Sequence, residues 1–472
     1  MSRRAVALLL LATVLGCASS RDLPAWERPP PPARDAPVVD AVRLHRAELS
    51  NGMRVLVLED SRLPRVQLGV VARRGAGIVA PERAGLAKFT AELMERGAGD
   101  QGALELAAVV DNLGASFGVS VGWDSMAAGV SGLSRDLETL FAVLTDVVRR
   151  PRFEAEEAER VRAEQLAGLE KDKDSPHVLA TRSFQATLYP GHRYGLPLAG
   201  TPEAVAELDP EDAREFHAGV FSAKNTLFFA TGDLEVADVL HRVEAGFGDW
   251  PAGSVPEPGP SPPTPAPAER RIVLVDRPDL VQAQIVVGHE GISRTDSERL
   301  AASLMNTVLG SGGFSSRLMN RVRAEEGLTY SVSSYFAMRR HPGPFGVSTF
   351  TRVPEVRRVV DLLLSELSRV RSDPPTPEEV ANAQSQQAGQ FSLGLETSSA
   401  VASSLVDLDV YGLPEDSLDT FRGRIRALTA EDTARAARDL VHPARAAILV
   451  VGPREAIVPQ LEDLGAVEVV QP

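Results

Sequence analysis

Cysteine is almost missing from this 472-residue chain: Cys17 is the single one. No intramolecular disulfide can therefore form, and no thiolate cluster can hold a metal. Aromatic residues are scarce as well, at 5%. Positive charge is in deficit, with 50 Lys and Arg against 64 Asp and Glu and a formal charge of −14. That balance argues against a non-specific grip on nucleic acid, which needs clustered basic side chains facing phosphates. No two of the 8 histidines lie within a helical turn or two of each other, so neither His-Glu-x-x-His nor its inverse is present. The glycine run Gly310, Gly312 and Gly313 lacks the Lys-Ser/Thr of a nucleotide loop. The apolar run from Ala5 to Leu15 is too short to cross a bilayer as a helix, which takes about 20 residues.

That run has another meaning. Arg3 and Arg4 precede it, and it ends in Val14-Leu15-Gly16-Cys17. A basic start followed by a short apolar core is the pattern of a signal peptide. The ending resembles a bacterial lipobox, in which the cysteine is acylated and becomes the first mature residue. Residues 1–17 are then a lipoprotein signal and residues 18–40, rich in proline, a tether. Ala18 rather than Asp after the cysteine points to the outer membrane, facing the periplasm. The other reading is an ordinary cleaved signal in which Cys17 has no role.

A second proline-rich stretch, residues 251–269, divides the remainder into halves of 41–250 and 270–472. The halves resemble one another. Leu208-Asp-Pro-Glu-Asp-Ala-Arg214 recurs as Leu428-Thr-Ala-Glu-Asp-Thr433, and Thr226–Gly232 recurs as Ala446–Gly452, both at an offset of 220 residues. Tyr194-Gly-Leu-Pro197, closing the stretch that starts at Tyr189, is echoed by Tyr411-Gly-Leu-Pro414. Arg54–Glu59 and Val66–Ala72 read as strands, and 104–113, 136–148 and 154–171 carry apolar residues at helical spacing. The expected fold class is α+β: two homologous halves, each a mainly antiparallel sheet covered by helices.

The text from Leu49-Ser-Asn-Gly-Met-Arg-Val-Leu56, through Pro64 and Gly75-Ala-Gly77, to Ala84-Gly-Leu-Ala-Lys-Phe89 resembles the opening of the pitrilysin/insulinase peptidase family. It is most like the bacterial, processing-peptidase-like branch. The resemblance runs from about Val42 to the end and implies that the two halves close as a clam around a chamber. In active members the helix after Gly-Leu-Ala carries His-x-x-Glu-His, and a later Glu completes the zinc site. Here Lys88 and Glu92 stand at the two histidine positions and Ala91 at the base position; Glu164 matches the third ligand. An ammonium repels zinc and an alanine takes no proton from water, so the resemblance implies no metal bound by this chain. Two readings of Lys88 stand. It forms a solvated i,i+4 pair with Glu92, or it replaces the zinc charge between Glu92 and Glu164.

The second half keeps another family element. Leu309-Gly-Ser-Gly-Gly-Phe-Ser-Ser-Arg317 leads into a helix with Ser315 or Ser316 as cap; Leu318 and Val322 face inward, Gly327 ends it, and a strand from Leu328 to Tyr335 follows. Arg323 and Tyr330, seven positions apart, match the family pair that holds the substrate backbone and steadies the oxyanion. The competing reading pairs Arg323 with Glu325 or Glu326 and leaves Tyr330 to pack. The resemblance implies a non-zinc subunit that supplies Arg323 and Tyr330 in trans to a homologous, zinc-bearing partner, acting on peptides or unfolded polypeptides in the bacterial envelope. The alternative is an inert peptidase-like binding or scaffold lipoprotein. If Cys17 is acylated, Cys17→Ser moves the chain from the membrane fraction to the soluble one; unchanged partitioning removes the anchor.

Overall fold

The computed structural model describes residues 37–38, 43–261 and 270–471; Cys17 lies outside them. Val38 to Pro472 forms one compact unit. Its first sheet is built from β1 (Leu44–Glu48), β2 (Arg54–Glu59), β3 (Arg65–Ala72), β6 (Ser116–Val121), β7 (Met126–Leu133) and β8 (Thr226–Gly232). They lie in the order β1-β2-β8-β3-β7-β6, and β4 (Gly97–Ala98) and β5 (Gln101–Gly102) make a small separate hairpin. The second sheet contains β9 (Ile272–Asp276), β10 (Gln282–Glu290), β11 (Val332–Phe336), β12 (Pro344–Arg352), β13 (Ala447–Gly452) and β14 (Val467–Val470), in the order β11-β12-β10-β13-β9-β14.

Five strands of each sheet correspond one to one. β2-β8-β3-β7-β6 and β9-β13-β10-β12-β11 share order and direction, with a single parallel pair, β2 with β8 and β9 with β13. The sixth differs: β1 lies antiparallel on β2 from upstream, whereas β14 lies parallel on β9 from downstream. The expected α+β class and the duplication are both present. The offset of 220 residues falls on β8 and β13 and on the helices Pro210–Val220 and Ala430–Leu440. Each of these helices opens with a capping box, Asp209 with Asp212 and Thr429 with Asp432. The repeated Glu-Asp text is thus a helix-start signal, satisfying amide groups that the first turn leaves unpaired. The helices expected from spacing form as Ala103–Asn112, Leu137–Arg149 and Ala155–Lys171.

Central strands read as near-continuous apolar runs because both faces of each sheet are covered. In β2, Val55 and Val57 enter the core beneath the first sheet, with Val66, Leu68 and Val70 of β3 and Phe89 and Leu93 of the Leu86–Met94 helix. The alternate residues Leu56 and Leu58 face the other way, with Val71, Leu227 and Phe229. What covers that second face comes from the other half: Val401, Ala402, Leu405 and Val406 of the helix Ser398–Tyr411. The exchange is mutual. Leu179, Ala180, Phe184 and Leu188 of the helix Pro176–Leu188 pack on Val273, Val275, Val286, Leu449 and Val451 of the second sheet. Each half lends a helix to the sheet of the other.

The tips of two equivalent hairpins meet beside these exchanged helices. Between β6 and β7, buried Asp124 accepts the Arg340 amide at 2.9 Å and the Tyr411 hydroxyl at 2.8 Å. Between β11 and β12, the Arg339 guanidinium lies 4.4 Å from the Trp123 ring and 4.6 Å from that of Tyr194. The two tyrosines of the Tyr-Gly-Leu-Pro echo therefore both end at this junction. The first part of the proline-rich linker is tied down as well. The Pro256 carbonyl accepts from Arg74 Nε at 2.7 Å, and those of Gly259 and Pro260 lie 2.7 and 2.8 Å from His341 Nε2 and His192 Nε2. Phe184 is fully buried in the exchanged contact. Phe184→Ala is expected to cost about 3–5 kcal/mol in urea unfolding; a loss below about 1 kcal/mol would mean the exchanged helix contributes little.

Candidate functional site

The first candidate lies on the Leu86–Met94 helix. Gly85, with φ 102°, turns the chain into it, and a Cβ there would meet Val205, Ala199 O and Gln165 Nε2 at 2.8–2.9 Å. Buried Gln165 donates to Ala199 O at 2.7 Å and to Gly85 O at 3.3 Å. It thus fastens the start of this helix to the long helix Ala155–Lys171 that carries Glu164. Leu86, Phe89 and Leu93 face the core as their spacing requires. Ala91, at the base position, is 2% exposed. The helix is covered on more than one side, and Lys88 and Glu92 are the two of its nine residues left partly open.

These two pair with each other: Lys88 Nζ donates to Glu92 Oε1, with both side chains about one third exposed. Glu164 instead accepts from Arg96 Nη2 at 2.7 Å. The charges at this place are neutralised in two separate pairs rather than in one Lys88-centred cluster. Close by, Glu95 accepts the Val119 amide hydrogen, and burial raises its pKa against the lowering effect of that bond. The zinc of the family does not fit this donor set. An ammonium engaged with one carboxylate, a methyl group sealed in the core and a carboxylate held by an arginine supply no converging neutral or anionic ligands. Among the described residues, no group of three or more His, Cys, Asp or Glu is placed to hold a metal. In the second half, Ser303 of the helix Arg299–Asn306 and Thr307 just after it both accept from buried Gln387, at 3.1 and 2.7 Å.

The second candidate is built on the glycine loop and the turn after it. A Cβ on Gly310 would meet Ser334 Oγ of β11 at 2.4 Å, so the loop lies close against the sheet. Ser316 rather than Ser315 caps the helix that follows, accepting weakly from Met319 N at 3.5 Å. Leu318 and Val322 are fully buried, as their spacing requires. The helix widens to π geometry over Met319–Glu325, a form that recurs at functional sites. Arg317 is anchored by a two-pronged contact to Glu379, at 2.7 Å for each prong, and holds that carboxyl below the usual range.

Arg323 projects from the last turn. Neither acid proposed for it is available: Glu325 pairs with Arg321 at 2.6 Å, and Glu326 pairs with Arg321 and Arg358. Among the described residues no carboxylate pairs with Arg323. Its guanidinium carbon lies 4.7 Å from the ring of Phe314 and 4.9 Å from that of Tyr330. Tyr330 does not pack into the fold; it is 73% exposed. The strand expected from Leu328 opens only at Val332. The preceding residues bond sideways instead, Leu328 O accepting from Thr351 Oγ1 at 2.7 Å and Ser331 O from Thr349 Oγ1 at 2.8 Å. These two hydroxyls pin the irregular segment that displays Tyr330.

Sequence reasoning brought Lys88 with Glu92 and Arg323 with Tyr330, but it missed Gln165, Arg317 and Phe314. Phe314 had a signal, an aromatic side chain inside a Gly-Ser loop of an aromatic-poor chain. Among the described residues, no hydrogen bond, ion pair or ring contact joins the two candidate sites.

Comparison with known proteins agrees with this architecture. Residues 54–202 match the family described as insulinase (peptidase family M16), and residues 207–387 match the peptidase M16 inactive domain. An uncharacterized zinc protease of Streptomyces coelicolor is 26% identical over 87% of this chain and 90% of its own length. One of Mycobacterium tuberculosis is 26% identical over 88% and 94%. A solved structure, the peptidase M16 inactive domain from Pseudomonas fluorescens, superposes with a TM-score of 0.81 at 26% identity, covering 87% of this chain and 98% of that one. A protease from Helicobacter pylori shares the fold at a TM-score of 0.80 and 17% identity, over 87% and 99%. The chain belongs to the insulinase peptidase family, with its two-half clam fold, and it is a member that lacks the zinc motif. If the Lys88–Glu92 pair is only a solvated i,i+4 contact, Lys88→Met shifts stability by no more than about 0.5 kcal/mol in thermal unfolding. A loss several times larger would restore the charge-replacement reading.

Proposed function

We propose that this chain is the non-zinc subunit of a heterodimeric insulinase-type metallopeptidase in the bacterial envelope. It supplies Arg323 and Tyr330 in trans to a homologous partner that carries the zinc. The observation that carries this reading is the state of that pair. Arg323 has no carboxylate partner among the described residues although Glu325 and Glu326 are near in sequence, and Tyr330 stands in solvent. Two donors left uncommitted on one surface suit a ligand that brings its own acceptors.

A peptide does so with its backbone carbonyls. The Arg323 guanidinium offers several N–H donors in one plane, and the Tyr330 hydroxyl offers one more. As a scissile carbonyl is attacked, its oxygen gains negative charge, and donors already aimed at it stabilise that charge without reorganising. The helix face with Lys88, Ala91 and Glu92 takes no part in that step. Cys17, where acylated, would keep the chain at the membrane surface.

Metal content and peptidase activity of the purified chain, alone and mixed with a zinc-motif relative encoded beside it, test the reading. The expected result is no zinc and no activity alone, with activity on mixing that Arg323→Ala lowers about a hundredfold to a thousandfold. Stoichiometric zinc in the chain alone would overturn the reading of Lys88, Ala91 and Glu92. Silence in every mixture would leave an inert peptidase-like binding or scaffold lipoprotein.

A further inference from the structure

Phe314 and Tyr330 are the only aromatic side chains among the described residues that stand largely in solvent, at 75% and 73% exposure. The chain has few aromatics to spend, at 5%, and both of these flank one guanidinium. The backbone accounts for how Phe314 comes to be displayed. A Cβ on Gly312 would meet Thr307 O at 2.4 Å and one on Gly310 would meet Ser334 Oγ at the same distance, so the inner side of the loop is full. Gly313 adopts φ 67°, which favours glycine, and Gln386 Nε2 donates to Gly312 O at 3.3 Å. A loop pressed inward in this way has only the outside left for its one large side chain.

We propose that Phe314 and Tyr330 form a subsite for an apolar or aromatic side chain of an extended peptide, with Arg323 between them donating to the adjacent backbone carbonyl. The inference rests on the peptide-binding role proposed for Arg323 and Tyr330. A guanidinium presents flat faces for stacking and an edge of N–H donors for hydrogen bonding. Rings against its faces leave that edge free and limit the directions the side chain can take. The outer surface of each ring is then an apolar wall beside a polar donor. In an extended peptide, a carbonyl and the neighbouring side chain lie close enough to use both at once.

The test uses the full chain in detergent and two fluorescein-labelled 12-residue peptides, identical except for a central Phe or Ser, read by fluorescence anisotropy. The Phe peptide is expected to bind about fivefold more tightly. Phe314→Ala should erase that preference, and Phe314→Trp should keep it, with the melting temperature unchanged in both. Arg323→Ala should weaken both peptides alike. If the unsubstituted chain does not distinguish the peptides, or if Phe314→Ala keeps the preference, the subsite is overturned while an effect of Arg323→Ala leaves the peptide-binding role standing. If Arg323→Ala changes nothing for either peptide, the peptide-binding role itself fails.

Discussion

Everything else in this fold depends on the mutual exchange of helices between the two halves. Strands such as β2, β8, β9 and β13 are apolar on both faces, and a sheet of that kind must be covered twice or expose hydrocarbon to water. Each half covers one face with its own helices and receives the cover for the other from its homologue. The second face of the first sheet, with Leu56, Leu58, Leu227 and Phe229, is sealed by the helix Ser398–Tyr411. A chain built this way does not consist of two beads on a string. Its halves are homologous in sequence and topology but share their cores, and Asp124, Arg339 and Tyr411 lock the junction with buried polar contacts.

On that common scaffold the two candidate sites have gone in opposite directions. Around Lys88 the charges are engaged locally: Lys88 with Glu92, Arg96 with Glu164, and Glu95 with the Val119 amide. Ala91 is absorbed into the core. Such a place is internally satisfied and offers zinc no converging ligands. Around Arg323 the acids close in sequence are all engaged by other arginines, and the guanidinium is left with two rings. The first place is satisfied within itself, whereas the second keeps two exposed rings beside an arginine that has no carboxylate partner among the described residues.

Part of this was legible from residues alone. Strands β2 and β3 and the long helices announce themselves through period, because alternation and helical spacing follow from which side of an element is buried. The duplication shows in the capping text before Pro210–Val220 and Ala430–Leu440, since a helix start needs particular side chains at particular offsets. The loss of the zinc ligands is equally plain, because ligand chemistry belongs to residue type. Less legible was the stretch from Leu328, which looks like a strand but bonds to the Thr349 and Thr351 hydroxyls before the ladder begins.

The sequence by itself determined the class of fold, its duplication and the absence of zinc-binding chemistry on the Lys88 helix. These are local properties, carried by period, caps and side-chain type. Only the tertiary structure decided which half covers which sheet, that Ala91 is sealed in while Tyr330 stands out, and that Arg323 has Phe314 rather than Glu325 beside it. Those outcomes turn on contacts between distant segments, where several apolar faces and several acids compete for each partner, and no local pattern ranks them.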